Sequence, residues 1–545
     1  MLKFPRTFCL LTVLLPGCVT LLLLGCGGGI GSPPPTFQIL QTGDGIKREE
    51  GINLDDFTKE TTMLTTDSMG AIGPNYVVQM VNFRIAIFDR RTTPMTRVRE
   101  ATLAEFFSVD RYPEGFVVGD PRVIYDPLSG RWFACGMDRP EVFKNNRILL
   151  AVSTDVDPVP LNASSNLTDR SWIPAKWKKY YLKGNETNRL SDYPCLGLDA
   201  NGVYIATGLF DYYGGSSVLT RKLVAIPKAP LLAGTDVLEQ PAADANVFTV
   251  PLTEGGYVIQ PAHSFEPSPP GNIAWMLTKA DTPAPQPRYR PGAILYGKLR
   301  WNAGTGLFEK QPGWFDARRG LAVPSDLSYW DVPPNRVPFE APQKSRYGLT
   351  AGVPVGHAAT HIMSAVLRNN TLSICQHVGF DVNGSYSGSG APPDRSGIVW
   401  FRFRVQAAQP NPALAHTAPP TFGRVWDGGS SPKWYYYPTL AVNDLGDLLL
   451  GFSGSSQDEF ISSYFQGWSR GFTEGPKLIQ AGRDYFTFGA SRRWTDYTAT
   501  ALDPLDSRTF CTFQPYTDLE PGGPFELEGI PRWGKAISLI KAIQR

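Results

Sequence analysis

The chain is short of charge, of histidine and of cysteine, and each shortage excludes something. Only 19% of the 545 residues are charged, with 52 basic against 50 acidic side chains. Two of the basic ones, Lys3 and Arg6, lie in the N-terminal apolar segment, so the remainder is formally neutral. A neutral chain has no electrostatic footprint for nucleic acid, which excludes that class of partner. Histidine numbers five. His357 and His361 in GHAATHIM stand four apart, but no Glu follows the first as in H-E-x-x-H, and on a strand they would lie about 13 Å apart. No C-x-x-C pair, G-x-S-x-G elbow or P-loop occurs. Of the seven cysteines, four lie beyond the N-terminal segment: Cys135, Cys195, Cys375 and Cys511. An oxidising compartment would allow them three pairings, yet each sits beside an apolar strand far from the others, which reads as buried free thiols.

What the chain has is glycine, proline and aromatics: Gly 54, Pro 48 and 12% Phe, Trp and Tyr. That balance describes many short strands joined by turns. At this length the alternatives are several domains or one large repeat-built β fold.

The N-terminus, MLKFPRTFCLLTVLLPGCVTLLLLGC, has a basic start, an apolar run broken by Pro16, and a close at Leu23-Leu24-Gly25-Cys26. A basic n-region before an h-region is a secretory signal rather than a spanning helix. Its last four residues resemble the bacterial lipobox, in which the cysteine is lipidated and becomes the new N-terminus. That resemblance implies a signal peptide over 1–25, a lipid on Cys26 and, with Gly27 rather than Asp next, an outer-membrane address. Residues 26–60 then read as a Gly/Pro-rich tether, and 61–545 as the folded domain.

Four segments align on their turn residues: VGDPRVIYDPLSGRWFACG, SDYPCLGLDANGVYIATG, YYYPTLAVNDLGDLLLGFS and TDYTATALDPLDSRTFCTF. In each, Pro121, Pro194, Pro438 or Thr498 precedes Asp126, Asp199, Asn443 or Asp503 by five residues. A small, apolar strand, an Asx-capped turn and a second apolar strand make a β-hairpin. Fainter copies near residues 68, 261 and 363 bring the total to seven, with a period of about 70, longer than compact propeller blades. A hairpin with two apolar faces buries both only by stacking in a ring, so the expectation is a β-propeller of seven blades, with six or eight as alternatives. WGKAISLIKA near the C-terminus is expected to close the ring beside the first blade. KWKKYYLKGN, Lys176 to Asn185, reads as a solvated rim loop, with contact to an anionic glycan as its alternative.

If the hairpins are equivalent, the residues ahead of each first strand meet at one mouth of the central channel: Asp67, Asp120, Asp192, Tyr193, His263, His361, Tyr436, Tyr437, Arg493, Trp494, Asp496 and Tyr497. Carboxylates, tyrosines and an arginine around an axis suit a sugar or a cation. No cofactor is indicated, and calcium is the one metal such a ring would suit. The competing reading is architectural, each polar group tying down the neighbouring blade's backbone. Catalysis would need two carboxyls about 5–10 Å apart for a glycosidase, or a base and acid such as His263 with Tyr193 or Tyr437 for a lyase. A non-catalytic ligand-binding or scaffold module leads, a polysaccharide-active enzyme comes second, and a calcium-stabilised structural propeller third. A polysaccharide or a protein is the expected ligand.

GAIGPNYVVQMVNFRIAIFD, GDPRVIYDPLSGRWF, SDYPCLGLDANGVYIATG, SGIVWFRFRV, PTLAVNDLGDLLLGFS and RWTDYTATALDPLDSRTFCTF resemble, in order, marker segments of a group of large exported bacterial proteins of uncharacterised activity. The group is described as propeller-like, and the resemblance runs from about Asp67 to the C-terminus. It implies no catalytic residues. Thr495 and Gln514 depart from the pattern, standing where a glycine and an aromatic are expected.

Overall fold

The computed structural model describes residues 36–47, 66–108, 117–139, 146–161, 166–183, 189–211, 218–235, 246–251, 258–279, 294–315, 340–344, 353–354, 361–384, 394–406, 412–486, 494–518 and 533–543. Seven antiparallel sheets of four or five strands follow one another along the chain and form a seven-bladed β-propeller. Their inner strands are Met69–Ile72, Val117–Asp126, Arg189–Leu198, Gln260–Pro261, Ser364–Arg368, Trp434–Val442 and Ala499–Leu502. These are the seven positions at which the hairpin pattern falls in the sequence. We number the blades 1 to 7 in that order. Blade 5 carries one parallel addition at its inner edge, where His263–Ser264 pairs with Val366 and Leu367.

The turn chemistry explains why each hairpin closes where it does. Asp126 accepts from the backbone N–H of Leu128 and Ser129, Asp199 from Asn201 and Gly202, Asn443 from Asp447, and Asp503 from Leu505. Each carboxylate or amide thus satisfies donors that the reversing chain frees. Between blades lie slabs of apolar side chains. Blades 1 and 2 enclose Val78, Ile85, Phe106, Trp132 and Trp177, and blades 5 and 6 enclose Ile398, Trp400, Leu450 and Phe452. The four cysteines are free thiols inside these slabs. Burial pushes Cys135 up to about 12 and Cys195 to about 11, so both stay protonated and inert.

Closure departs from expectation. Trp533–Ile543 is the third strand of blade 7, and the fourth comes from the other end of the chain: Thr36–Asp44 pairs antiparallel with Thr36 opposite Ile543 and Asp44 opposite Ala536. Residues 36–44 are therefore a blade strand, not part of a tether over 26–60. Only one of its residues is fully buried, Phe37, which is why the segment lacks an apolar signal. Phe37 is 1% exposed, lies 6.2 Å from the ring of Phe510, and rests on Gly467, where any side chain would collide with it. Lys477 of blade 6 donates to the Phe37 carbonyl at 2.7 Å. The basic stretch read as a rim loop is also a strand: Trp177–Lys183 forms the outer edge of blade 2, with Trp177 buried in the slab toward blade 1 and Tyr180 and Leu182 in the slab toward blade 3.

The closing strand yields a stability prediction. Phe37→Ala should cost about 3–5 kcal/mol in denaturant unfolding, the range for emptying a buried aromatic site. Leu40→Ala, at a position 53% exposed on the same strand, should change it by less than about 0.5 kcal/mol. Equal effects would show that residues 36–44 do not hold the ring shut.

Candidate functional site

Three inner strands carry the same irregularity at their start. One extra residue is inserted between Gly119 and Arg122, between Asp192 and Cys195, and between Tyr436 and Thr439. At each bulge a non-glycine residue with positive φ precedes the proline: Asp120 at 51°, Tyr193 at 55° and Tyr437 at 51°. Inner strands are sheet edges, so the proline interrupts no ladder. The bulge swings the N–H of the preceding residue out of the sheet, and a side chain of the previous blade accepts it. Asn82 Oδ1 takes Asp120 N at 2.8 Å, Asp120 Oδ2 takes Tyr193 N at 3.2 Å, and His377 Nδ1 takes Tyr437 N at 2.9 Å. Blade 7 is tied to blade 1 by a bond in the opposite sense and without a bulge, Asp67 Oδ1 accepting from Asp496 N at 2.6 Å while its other oxygen holds Asn82 Nδ2.

Across the axis lies Arg122, the residue after the blade 2 proline. Its Nε donates to the Pro194 carbonyl at 2.8 Å, and its guanidinium carbon stands 3.3 Å from the Tyr497 ring centroid and 5.0 Å from that of Tyr193. Only 6% of the residue is exposed. No carboxylate is within ion-pair distance of it among the described residues. Burying an unpaired charge costs several kcal/mol, and a desolvated aromatic face returns about 2 kcal/mol or more. Tyr193 OH lies 2.8 Å from His361 Nε2 and 3.2 Å from the Asp496 carbonyl. Burial raises the pKa of both phenols, so Tyr193 and Tyr497 are neutral. Burial, then the charges of His377, Arg122 and Lys279, hold His361 well below the usual imidazole range.

The structure thus gathers Asp67, Asp120, Tyr193, His361, Tyr437, Asp496 and Tyr497 at one end of the channel, but as a buried plug rather than an open mouth. All except Tyr193 are less than 10% exposed. Tyr436 and Trp494 turn away into the slab between blades 6, 7 and 1, where Tyr436 bonds Ser455 and Trp494 bonds Ser453. Asp192 accepts from the N–H of its neighbour Tyr193. His263 lies further along the channel wall. Arg493, Cys26 and residues 1–25 lie outside the described residues, as does His357. Among the described residues no group of three or more His, Cys, Asp or Glu side chains could hold a metal. Asp67 accepts an N–H on each oxygen, from Asp496 and Asn82, and Asp120 accepts one from Tyr193 on Oδ2.

Arg122, Asn82 and His377 were not singled out in the sequence. Arg122 had a signal: at its place in the repeat the other copies carry Cys195, Thr439 and Ala499, so a charge there breaks the pattern. Asn82 and His377 had none, since neither lies in an aligned segment's leading residues.

From this plug the channel runs toward the hairpin turns as a cavity of about 210 Å³, walled by the inner strands and by His263, Arg368 and Asp503. Asp503 is held there by Arg90, which donates from Nη1 at 2.7 Å. His263 is lowered to about 4 by burial.

The two low-pKa histidines give stability a pH dependence. Unfolded histidine titrates near 6.5, so below that pH the unfolded state takes up protons that folded His361 and His263 refuse. Their contribution is fully present above pH 6.5 and is lost as pH falls, with a slope of up to about 2.7 kcal/mol per pH unit for two protons. Unfolding free energy measured between pH 7 and 5 should fall accordingly, and His361→Gln should remove about half of the slope. A slope unaltered by that change would contradict the burial of a neutral imidazole.

No family model matches the chain, and no curated protein matches it. Solved structures resemble it only loosely. A protein of unknown function from Dyadobacter fermentans is 11% identical over 79% of this chain and 96% of its own, with a TM-score of 0.35. The GH93 α-L-arabinofuranosidase of Fusarium graminearum is 13% identical over 73% and 89%, with a TM-score of 0.30. The GH43 endo-arabinanase of Bacillus licheniformis is 10% identical over 65% and 99%, with a TM-score of 0.27. Likeness at that level carries no argument about activity, and the propeller assignment stands on the sheet order of the chain itself.

Proposed function

We propose that the chain is a non-catalytic ligand-binding or scaffold module, carried at a bacterial outer membrane by a lipid on Cys26. The observation that carries the first part is the occupation of the acidic groups around the axis. Asp67 and Asp120 accept backbone N–H groups from adjoining blades. Asp126 holds Lys228 at 2.6 Å, and Asp503 holds Arg90. A catalytic acid or base must reach the substrate and exchange its proton, and these carboxylates are committed to holding the ring. The second reading, a lyase, has the Tyr193–His361 pair in its favour, since a phenol 2.8 Å from an imidazole is an acid–base couple.

Turnover separates the two. The full chain, extracted in detergent and incubated with neutral and acidic polysaccharides including arabinan and polygalacturonate, should release no reducing ends and no unsaturated sugar. Release that Tyr193→Phe abolishes without lowering the melting temperature would make the protein an enzyme. The anchor is tested by phase partition after expression in a Gram-negative host. Wild type should enter the detergent phase and Cys26→Ala the aqueous phase, whereas identical partition would remove the lipid from the account.

A further inference from the structure

The plug leaves one buried cation facing the channel with bonding capacity unspent. Arg122 uses Nε on the Pro194 carbonyl and sets Nη1 3.9 Å from the sulfur of Met69, while Nη2 is buried with no acceptor. A second guanidinium, Arg368, lines the same cavity. It stacks over Phe265 at 5.0 Å and has no ion pair among the described residues; burial lowers its pKa, an effect that the nearby charges of Asp444 and Glu266 only partly oppose. His263, on the same wall, also has a buried Nε2 without a partner. The one carboxylate on the wall, Asp503, is neutralised by Arg90. The cavity therefore presents two unpaired positive groups and no free negative one.

A guanidinium with open Nη donors is matched by a group that offers two coplanar oxygens, and the low dielectric of a buried site strengthens the bond. The rest of the wall mixes apolar side chains, Ile72, Leu196, Met363 and Leu440, with the hydroxyls of Thr439, Thr498 and Thr500. At about 210 Å³ the space is below the usual range for drug-sized ligands, roughly 300 Å³ upward. That admits a molecule no larger than a single sugar acid and excludes the body of a polymer. We propose that the channel is a binding site for a small organic carboxylate, which enters from the hairpin-turn end and places its acid group on Arg122. This rests on the binding-module reading and gives that module a ligand class. His263 would stay neutral and able to accept or donate one hydrogen bond to the ligand.

The test is calorimetric titration of the full chain in detergent with D-glucuronate, D-glucose, acetate and inorganic phosphate at constant ionic strength. Glucuronate should bind saturably and glucose should not. Arg122→Gln should weaken glucuronate at least tenfold with an unchanged circular dichroism spectrum. Should that variant fail to fold, Arg368→Glu serves in its place, and it too should weaken binding at least tenfold by repulsion. Glucose binding as well as glucuronate would keep the binding module and overturn the anion site. Saturable binding of phosphate alone would overturn the carboxylate assignment, as would glucuronate binding unaffected by either variant. No binding of any probe would overturn the site, while turnover in the polysaccharide assays would overturn the module reading separately.

Discussion

A residue in the left-handed region just ahead of a proline is the constraint on which the centre of this propeller depends. Such a residue costs roughly 1–2 kcal/mol when it is not glycine, and the bulge it creates strips an N–H from the sheet. Left buried without an acceptor, that donor would cost about 1–3 kcal/mol more. Each bulge therefore demands a polar side chain from the blade before it, and Asn82, Asp120 and His377 supply it. What resembles a ring of ligand-binding groups is first of all a chain of handovers from blade to blade. Arg122 follows from the same geometry, because the residue after the proline faces the axis and here is a cation.

The second constraint is closure. A ring of stacked sheets has an open seam wherever the chain begins and ends, and here Thr36–Asp44 covers it by completing blade 7 from the N-terminal side. This ties the fold to the proposed anchor. Cys26 precedes Thr36 by ten residues, and a fully extended chain of that length spans at most about 36 Å. A lipid on Cys26 would thus keep blade 7 close to the membrane. With a lipid on Cys26, strain on that anchor would be borne by the pairing of 36–44 with 533–543.

The hairpins were legible because their turns depend on a few side chains at fixed spacing. Pro121 with Asp126, Pro194 with Asp199 and Pro438 with Asn443 mark both ends of an inner strand, and even the faint copies near 68, 261 and 363 fall on real ones. The outer strands were not legible. Thr36–Asp44 buries only Phe37, and the buried Trp177, Tyr180 and Leu182 are interleaved with lysines, so the Gln, Thr and Lys residues of these strands look like loop. Within the site, Asp67, Asp120, Tyr193 and Tyr497 were legible as a group because each stands just ahead of the apolar stretch of a repeated hairpin. Their burial was not, since residue type does not reveal that an N–H from another blade already fills a carboxylate. Arg122 was hidden by the alignment itself, which draws attention to what repeats.

The handover at the bulges is the claim on which both the architecture and the assignment of the acidic groups rest, and amide hydrogen exchange at Tyr437 tests it most directly. His377 supplies the acceptor for that N–H from the adjoining blade at 2.9 Å. In His377→Ala the Tyr437 amide should exchange at least tenfold faster than in the wild type, while amides in the blade 6 ladder between Leu448–Ser456 and Glu459–Ser469 keep their protection. Unchanged exchange at Tyr437 in a folded variant would show that the bulge N–H is not held by its neighbour, and the polar ring would then need another reason to exist.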